Sequence, residues 1–403
     1  MSGARPRITD AQRRNRLLRR HCLAEGHHAA SVVDAAAAVV GLHATTPSTV
    51  YLSAWARIDG FNTDSMSAAL YCDRTLIKQL AMRRTLFVFP DGILPDAVGA
   101  IGARVAASER TNMLRDLRRA EDIADPEGWI DDARAAVLAA FAAFADGTTM
   151  TSAELRARLP EFDRQVVVSP GKSYGGPSPL LPRVLNMCSA AGEVVRGPNN
   201  GGWHVSRPSW SAMDRWLGRP LDVPDPATAH IALIRRWLAR FGPGTETDLV
   251  WWLGSTKRDV RQALASLDVV EVDLDDGSVG YVLADDLPGG PDDDPLPPEA
   301  LLLPELDPTT MGHKVRDFYL GPHVDAIFDR NGNGGQTVWW DGRIVGGWHR
   351  EAGTRVEVHL FEKLPAAARR AVAARADALS EWLGEVPFRP GYPPPYLREL
   401  RAR

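Results

Sequence analysis

One helix junction occurs twice in the chain, and this repetition constrains the fold more than any single residue does. Residues Gly147–Leu155 and Gly244–Leu249 both place a threonine before a helix-like run, with a carboxylate three positions later. A threonine and an acidic residue at that spacing form a capping box, which satisfies the first free N–H groups of a helix. A third such pair, Thr256 and Asp259, follows the second junction. The repetition predicts a helical unit that is used more than once.

Around these junctions the chain repeats a longer order, in which helix-like segments precede two strand-like runs. That order is typical of winged helix-turn-helix domains. We therefore predict an α+β protein with three tandem winged helices and a β-rich part that ends in a closing helix. In the second winged helix the two wing strands are expected at Glu193–Arg196 and Trp203–Ser206. The predicted boundaries are residues 1–125, 126–222 and 223–290 for the winged helices and 301–403 for the β-rich part.

Charge is segregated along the chain, although the net charge of -4 is not that of a typical nucleic-acid binder. Residues 1–21 contain seven Arg and one Asp, whereas residues 262–312 contain thirteen Asp and Glu and no Lys or Arg. In one interpretation, a polyanion binds the basic segment and the acidic segment stays outside that interface. In the other, both segments are simply solvated. Within the acidic segment, Pro288–Pro298 is rich in Pro, Gly and Asp, which predicts an exposed linker that proteases cut.

Common ATPases, dehydrogenases, esterases and metallo-hydrolases are not the first choices for this sequence, because their motifs are missing. It contains no P-loop, dinucleotide fingerprint, nucleophile elbow or zinc-ligand spacing, so neither a metal nor a nucleotide cofactor is expected. No apolar run has membrane-spanning length, and the Arg-rich N-terminus has no apolar core of a secretory signal. Three widely spaced cysteines argue against a disulfide framework. A cytoplasmic protein is the expectation.

The strongest candidate for a catalytic site is a short connector. An apolar run ends at Gly41, a residue type common just past a helix end, and Thr46-Pro47 is typical of a new helix start. His43 and Thr45 therefore lie between two helices, close to a helix N-terminus that favours anions. Two interpretations stay open from spacing alone: a catalytic pair, or two residues that merely cap helices.

Two groups of basic residues are candidates for DNA contacts. Lys257, Arg258 and Arg261 open the predicted second helix of a helix-turn-helix, where basic side chains suit phosphates or base edges. Arg83 and Arg84 lie at the turn between two predicted strands, where they would hold a phosphate or enter the minor groove. Ordinary solvated surface charge explains both groups equally well.

The chain resembles the AlkZ/YcaQ-like bacterial DNA glycosylases in segments spread over nearly its whole length. The resemblance implies three tandem winged helices and a β-barrel-like subdomain that together form a C-shaped DNA clamp. It also implies excision of N7-alkylated guanine, including bulky and crosslinked adducts, from double-stranded DNA. The segments that carry the resemblance are Gly41–Thr45, Tyr51–Leu52, Trp55–Arg57, Met82–Leu86, Trp251–Gly254, Thr256–Val260, Leu303–Asp307 and Asp341–Gly346.

The chain departs from this family at the catalytic motif. The family carries Gln-apolar-Gln or Gln-apolar-Asp, whereas the matching positions here are His43, Ala44 and Thr45. A neutral imidazole can accept a proton from water or orient it, and a Thr hydroxyl can hold the same water. We therefore predict a monofunctional, monomeric, nucleoid-associated glycosylase with His43 and Thr45 as its catalytic residues. The alternatives are a non-enzymatic winged-helix protein such as a transcription regulator, and a protein that bundles DNA.

Overall fold

The computed structural model describes residues 4–120, 123–143, 147–168, 171, 175–351 and 354–402. The chain divides into two compact units. The first unit is discontinuous and comprises Met1–Met66 and Ile231–Arg403, and the second is Ser67–His230. Both helices and antiparallel sheets are present, so the predicted α+β class is confirmed.

The helices, in chain order, are α1 (Asp10–Arg20), α2 (Val32–Ala38), α3 (Pro47–Trp55), α4 (Thr63–Tyr71), α5 (Leu94–Ala97), α6 (Ala103–Ala120), α7 (Pro126–Ala142), α8 (Ser152–Arg158), α9 (Leu181–Ala190), α10 (Met213–Leu217), α11 (Pro226–Phe241), α12 (Glu246–Leu253), α13 (Lys257–Ala265), α14 (Asp317–Leu320), α15 (Val324–Ile327), α16 (Ala366–Leu383) and α17 (Pro395–Ala402). In the described part of the chain, none of them combines the length and apolar character that crossing a bilayer requires.

The strands, in chain order, are β1 (Arg7–Ile8), β2 (Leu42–His43), β3 (Leu76–Leu80), β4 (Leu86–Pro90), β5 (Met150–Thr151), β6 (Gln165–Val168), β7 (Gly176–Pro179), β8 (Val194–Asn199), β9 (Pro208–Ala212), β10 (Val269–Leu274), β11 (Val279–Leu283), β12 (Ala300–Leu303), β13 (Thr337–Trp340), β14 (Arg343–His349) and β15 (Glu357–Leu360). Three stretches have the predicted order of helices followed by an antiparallel hairpin: α2–α4 with β3–β4, α7–α9 with β8–β9, and α11–α13 with β10–β11. The number of winged-helix domains and their boundaries stay predictions.

Capping boxes fix the starts of α8 and α12, as the repeated junction predicts. The Thr151 hydroxyl accepts from the backbone of Glu154, and Thr245 does the same with Asp248. The second box is buried, because Asp248 is 0% exposed and its other carboxylate oxygen accepts from the backbone of Lys314 at 2.7 Å. The N-terminus of α12 is thereby tied to the loop that follows β12.

Two sheets belong to the first unit. In one, β1 pairs in parallel with β10, and β10 pairs antiparallel with β11. Ile8 is fully buried there and packs with Val272, Leu274 and Val282. The other sheet has the order β12-β13-β14-β15 and is antiparallel throughout.

The predicted barrel is not closed. Among residues 300–351 and 354–360, β12 and β15 form opposite edges of the four-stranded sheet, and no pairing joins them. Helix α16 lies against β12, and Trp339 and Trp348 are buried in this part of the chain. The C-terminal part is therefore an open sheet covered by a helix.

The second unit contains a helical core with two small sheets and the β3–β4 hairpin. Two features differ from expectation. The second strand of the β8–β9 wing is Pro208–Ala212, whereas the predicted Trp203–Ser206 lies in the turn before it. The long helix α6 was not predicted at all; its buried face consists of Val105, Met113 and Leu117.

Candidate active site and nucleic-acid contacts

The connector between α2 and α3 is as short as the sequence predicts, and it is backbone-strained at its start. Helix α2 ends at Ala38, and Val40, not the expected Gly41, adopts the left-handed conformation, with φ of 63°. For a β-branched residue that conformation is an outlier, because its Cβ substituents crowd the neighbouring carbonyl. Such strain clusters at functional sites, where the surrounding structure enforces it.

His43 lies inside the protein, although it belongs to a short connector. Its exposed fraction is 2%, whereas Thr45 is half-buried. The two residues are in contact, because the Thr45 backbone N–H donates to His43 Nδ1 at 3.4 Å. A ring nitrogen that accepts a hydrogen bond carries no proton, so in the neutral ring the proton is on Nε2. This arrangement presents the imidazole as an N–H donor.

Thr46 occupies the N-cap position of α3, but its side chain does not cap the helix. Its hydroxyl instead binds the carboxylate of Glu305, a residue with 0% exposure. Two backbone groups complete the shell of this carboxylate: Gly391 N–H donates at 2.8 Å and Tyr392 N–H at 2.5 Å. Burial raises the pKa of Glu305, and these three hydrogen bonds oppose the shift by favouring the charged form.

A second buried carboxylate, Asp307, lies two residues further on and holds the other end of α3. It binds both terminal nitrogens of Arg57, at 2.8 and 2.9 Å, and accepts from the Ser53 hydroxyl at 2.6 Å. Between the two carboxylates, Leu306 adopts a φ of 57°, in a turn closed by a bond from Asp307 N–H to the Pro304 carbonyl. The turn directs the two carboxylates to different parts of α3.

Sequence reasoning placed Glu305 and Asp307 in a matching segment without assigning them a role. The sequence did contain a sign that these carboxylates are buried. The two acidic residues lie in the otherwise apolar run Leu303–Asp307, next to a strand with buried side chains. Charged side chains in such a position are costly unless they are paired. Their partners on α3 are about 250 residues away in sequence, so pattern reading could not identify them.

Arg83 and Arg84 lie at the turn of the β3–β4 hairpin, as predicted. Both adopt positive φ, 53° and 61°, which is unusual for residues with a side chain. Arg84 forms an ion pair with Glu109 of α6, and its own side chain is half-exposed. The turn therefore presents two guanidinium groups from a strained backbone, one of them oriented by a carboxylate.

Lys257, Arg258 and Arg261 lie at the start of α13, the second helix of the α12–α13 pair. All three side chains are at least two-thirds exposed. Arg261 binds Glu246 of α12 at 2.5 and 3.1 Å, and the Lys257 ammonium is 4.0 Å from the same carboxylate. Glu246 thus orients two of the three cations while the surface stays accessible.

The N-terminal arginines, in contrast, are neutralised within the first unit. Arg16 is 1% exposed and binds Asp293 at 2.5 Å and Asp286 at 3.1 Å. Arg20 binds Asp286 and Asp292, at 2.6 and 2.7 Å. Both earlier interpretations of the charge segregation are therefore wrong for these residues, because the basic helix and the acidic segment bind each other.

The same contacts anchor the predicted linker. Arg19 donates to the backbone carbonyls of Asp292 and Asp294, at 3.1 and 2.6 Å, and Asn15 donates to that of Asp293. Asp293 itself is buried. Residues 291–294 are therefore packed against α1 and do not form a free linker.

Within the described ranges, no group of three or more His, Cys, Asp or Glu side chains is placed to hold a metal ion.

Comparison with known proteins agrees with the resemblance found in the sequence. The sequence model of one family, described as DNA glycosylase AlkZ-like, matches residues 36–382. Among solved structures, the fold is similar to that of the DNA glycosylase AlkZ from Streptomyces sahachiroi, with a TM-score of 0.71 and 21% sequence identity. The match covers 95% of this chain and 99% of that one. No curated protein matches the sequence.

Proposed function

The chain belongs to the AlkZ-like DNA glycosylase family, and on this premise we propose that it excises N7-alkylated guanine from double-stranded DNA through the His43–Thr45 connector. The observation that carries the proposal is the contact between the two residues that occupy the family's catalytic positions, Thr45 N–H to His43 Nδ1. This bond joins the imidazole to the backbone of Thr45 just before the start of α3, on a strained connector.

The excision reaction begins from a substrate that already carries a good leaving group. N7-alkylation makes the guanine base cationic, and cleavage of the bond between N9 and the sugar C1′ leaves the electron pair on N9, which neutralises the base. A water oxygen forms the new bond to C1′, and the proton that it then loses passes to solvent water. Because the cationic base is already a good leaving group, the need for a general acid is small. The protein then accelerates the reaction mainly by positioning the water against an oxocarbenium-like sugar.

His43 suits the positioning role. Because its Nδ1 accepts from Thr45, its Nε2–H donates and fixes the orientation of a water whose second lone pair attacks C1′. Thr45 holds the same water through its hydroxyl. A threonine does not act as a base near neutral pH, which distinguishes this connector from the Gln-apolar-Asp arrangement of the crosslink-unhooking branch.

The DNA contacts are proposed at the two accessible basic groups, Lys257–Arg258–Arg261 and Arg83–Arg84. Exposed cations at a helix start suit phosphates, and a hairpin tip suits the minor groove. Three winged helices, a C-shaped clamp, a monomeric state and a cytoplasmic, nucleoid-associated location complete the proposal.

The test measures release of the modified base from a duplex oligonucleotide with a single N7-methylguanine under single-turnover conditions. We expect His43→Ala to reduce the rate by a hundredfold or more, His43→Gln to retain activity, and Thr45→Ala to have the smaller effect. Because His43 is buried, thermal unfolding of each variant accompanies the assay. Wild-type rates in a folded His43→Ala protein would refute the proposed site. Binding without any base release by the wild type would point to a regulator.

A further inference from the structure

Glu305 is the one fully buried carboxylate that contacts the N-terminal end of α3 among the described residues, and the reaction outlined above gives it no role. Three donors surround it: the Thr46 hydroxyl and the N–H groups of Gly391 and Tyr392. Its backbone carbonyl also accepts from the Thr49 hydroxyl, at 3.0 Å. One residue thus binds two side chains in the first turn of α3 and the chain segment at residues 391–392.

Thr46 forms this contact in place of the usual N-cap hydrogen bond of α3. A threonine at an N-cap normally accepts a hydrogen bond, through its side-chain oxygen, from an N–H group in the first turn of the helix. Thr46 does not make this bond and gives its hydroxyl to Glu305 instead. Gly391 is close enough that a Cβ there would lie 3.0 Å from Thr46 Oγ1. A buried charge and an unmade cap are both costly, and positions that depart from local rules in this way are expected at functional sites.

Thr46 is adjacent to Thr45, so whatever fixes Thr46 also fixes the end of the proposed catalytic connector. Resting on the proposed function, we propose that Glu305 is a positioning residue, which holds Thr46 and thereby sets the placement of Thr45 and His43 for the excision step. Residues 391–392 take part as the second anchor of its carboxylate. They lie beyond the 36–382 segment that the family model matches.

Asp307 and its partner Ser53 provide a matched comparison. Ser53 is also on α3 and fully buried, and its hydroxyl also binds a buried carboxylate, but it lies at the other end of the helix. Ser53→Ala therefore removes a similar bond without touching the connector. At the connector, Thr46→Val removes the hydroxyl and keeps a β-branched shape, whereas Thr46→Ser retains the hydroxyl.

The experiment compares Glu305→Gln, Thr46→Val, Thr46→Ser, Ser53→Ala and His43→Ala on the N7-methylguanine duplex. The single-turnover rate constant, the duplex dissociation constant and the unfolding temperature are measured for each. We expect Glu305→Gln and Thr46→Val to lower the rate constant by 10- to 100-fold with the dissociation constant within about twofold, since small misplacements of reacting groups have effects of this size. Thr46→Ser and Ser53→Ala should stay close to the wild-type rate.

Each remaining outcome has a definite meaning. An unaffected rate in Glu305→Gln, together with an inactive His43→Ala, overturns the positioning role and leaves the proposed function intact. An active His43→Ala overturns the proposed function itself. If Ser53→Ala slows the reaction as much as Glu305→Gln, general loosening of α3 is the cause and the positioning role is wrong. If Glu305→Gln does not fold, Thr46→Val decides, because it leaves the carboxylate its two backbone donors.

Discussion

Replacing Asp307 with Asn should strongly destabilise the first unit, because it leaves the charge of Arg57 buried without a counterion. Both side chains are fully buried, and their two nitrogen–oxygen contacts are 2.8 and 2.9 Å long. Arg57 also donates to the Thr309 hydroxyl at 2.8 Å, and Asp307 also accepts from Ser53. The pair is therefore the centre of a buried network, with no solvent to compensate for a lost partner.

The magnitude follows from the penalty for an isolated buried charge. Removing one partner of a buried ion pair typically costs about 3–5 kcal/mol, because the remaining ion has lost its solvation and gains nothing in return. The Asn amide adds a further conflict, since its NH2 group faces a guanidinium N–H where an acceptor stood. Arg57→Met should cost a similar amount. The double variant should cost much less than the sum, because no unpaired charge then remains.

Urea unfolding of the wild type, the two single variants and the double variant measures these four free energies. A coupling energy of about 2 kcal/mol or more is expected for residues in direct contact within one network. A cost below about 1 kcal/mol for Asp307→Asn, or simple additivity of the two substitutions, would refute the reasoning and would indicate that water reaches the pair.

Three further expectations concern charge. DNA affinity should fall as salt rises, and Lys257→Ala with Arg258→Ala should flatten that dependence by about one unit of slope per lost phosphate contact; Glu246→Gln should leave the slope unchanged or steeper. Limited proteolysis should spare residues 291–294, because α1 holds them, and early cleavage there would contradict the arginine contacts. Burial lowers the pKa of His313 to about 4, below its ordinary value, so protons bind the unfolded chain preferentially as pH falls from about 6.5 to 4, and urea titrations should show stability decreasing over that window.

Local patterns in the sequence predicted the order of elements well. The capping boxes at Thr151 and Thr245 are confirmed because their bonds span three residues and need no distant partner. The β10–β11 hairpin, with its turn at residues 275–277, is local in the same way, since a short turn between β-branched runs determines its own pairing.

Features that depend on distant partners could not be predicted. The wing strand is Pro208–Ala212, and not the predicted Trp203–Ser206, because its register is set by pairing with β8. The Arg16–Asp293 contact joins residues 277 apart, and periodicity carries no information about it. The same limit applies to the site, where the connector was recognisable from its own residues but Glu305 was not.

The discontinuity of the first unit has a consequence for biosynthesis. Residues 67–230 leave the ribosome as one continuous piece with its own core, whereas the first 66 residues must wait for residues 231–403 before that unit can be completed. At roughly 5–20 residues per second in translation, the wait lasts on the order of tens of seconds. During that time Arg16 and Arg20 have no carboxylate partners, and Ile8 has no core to enter. The usual order, in which segments made first complete their packing first, is thus reversed, and residues 4–66 stay without their partners the longest.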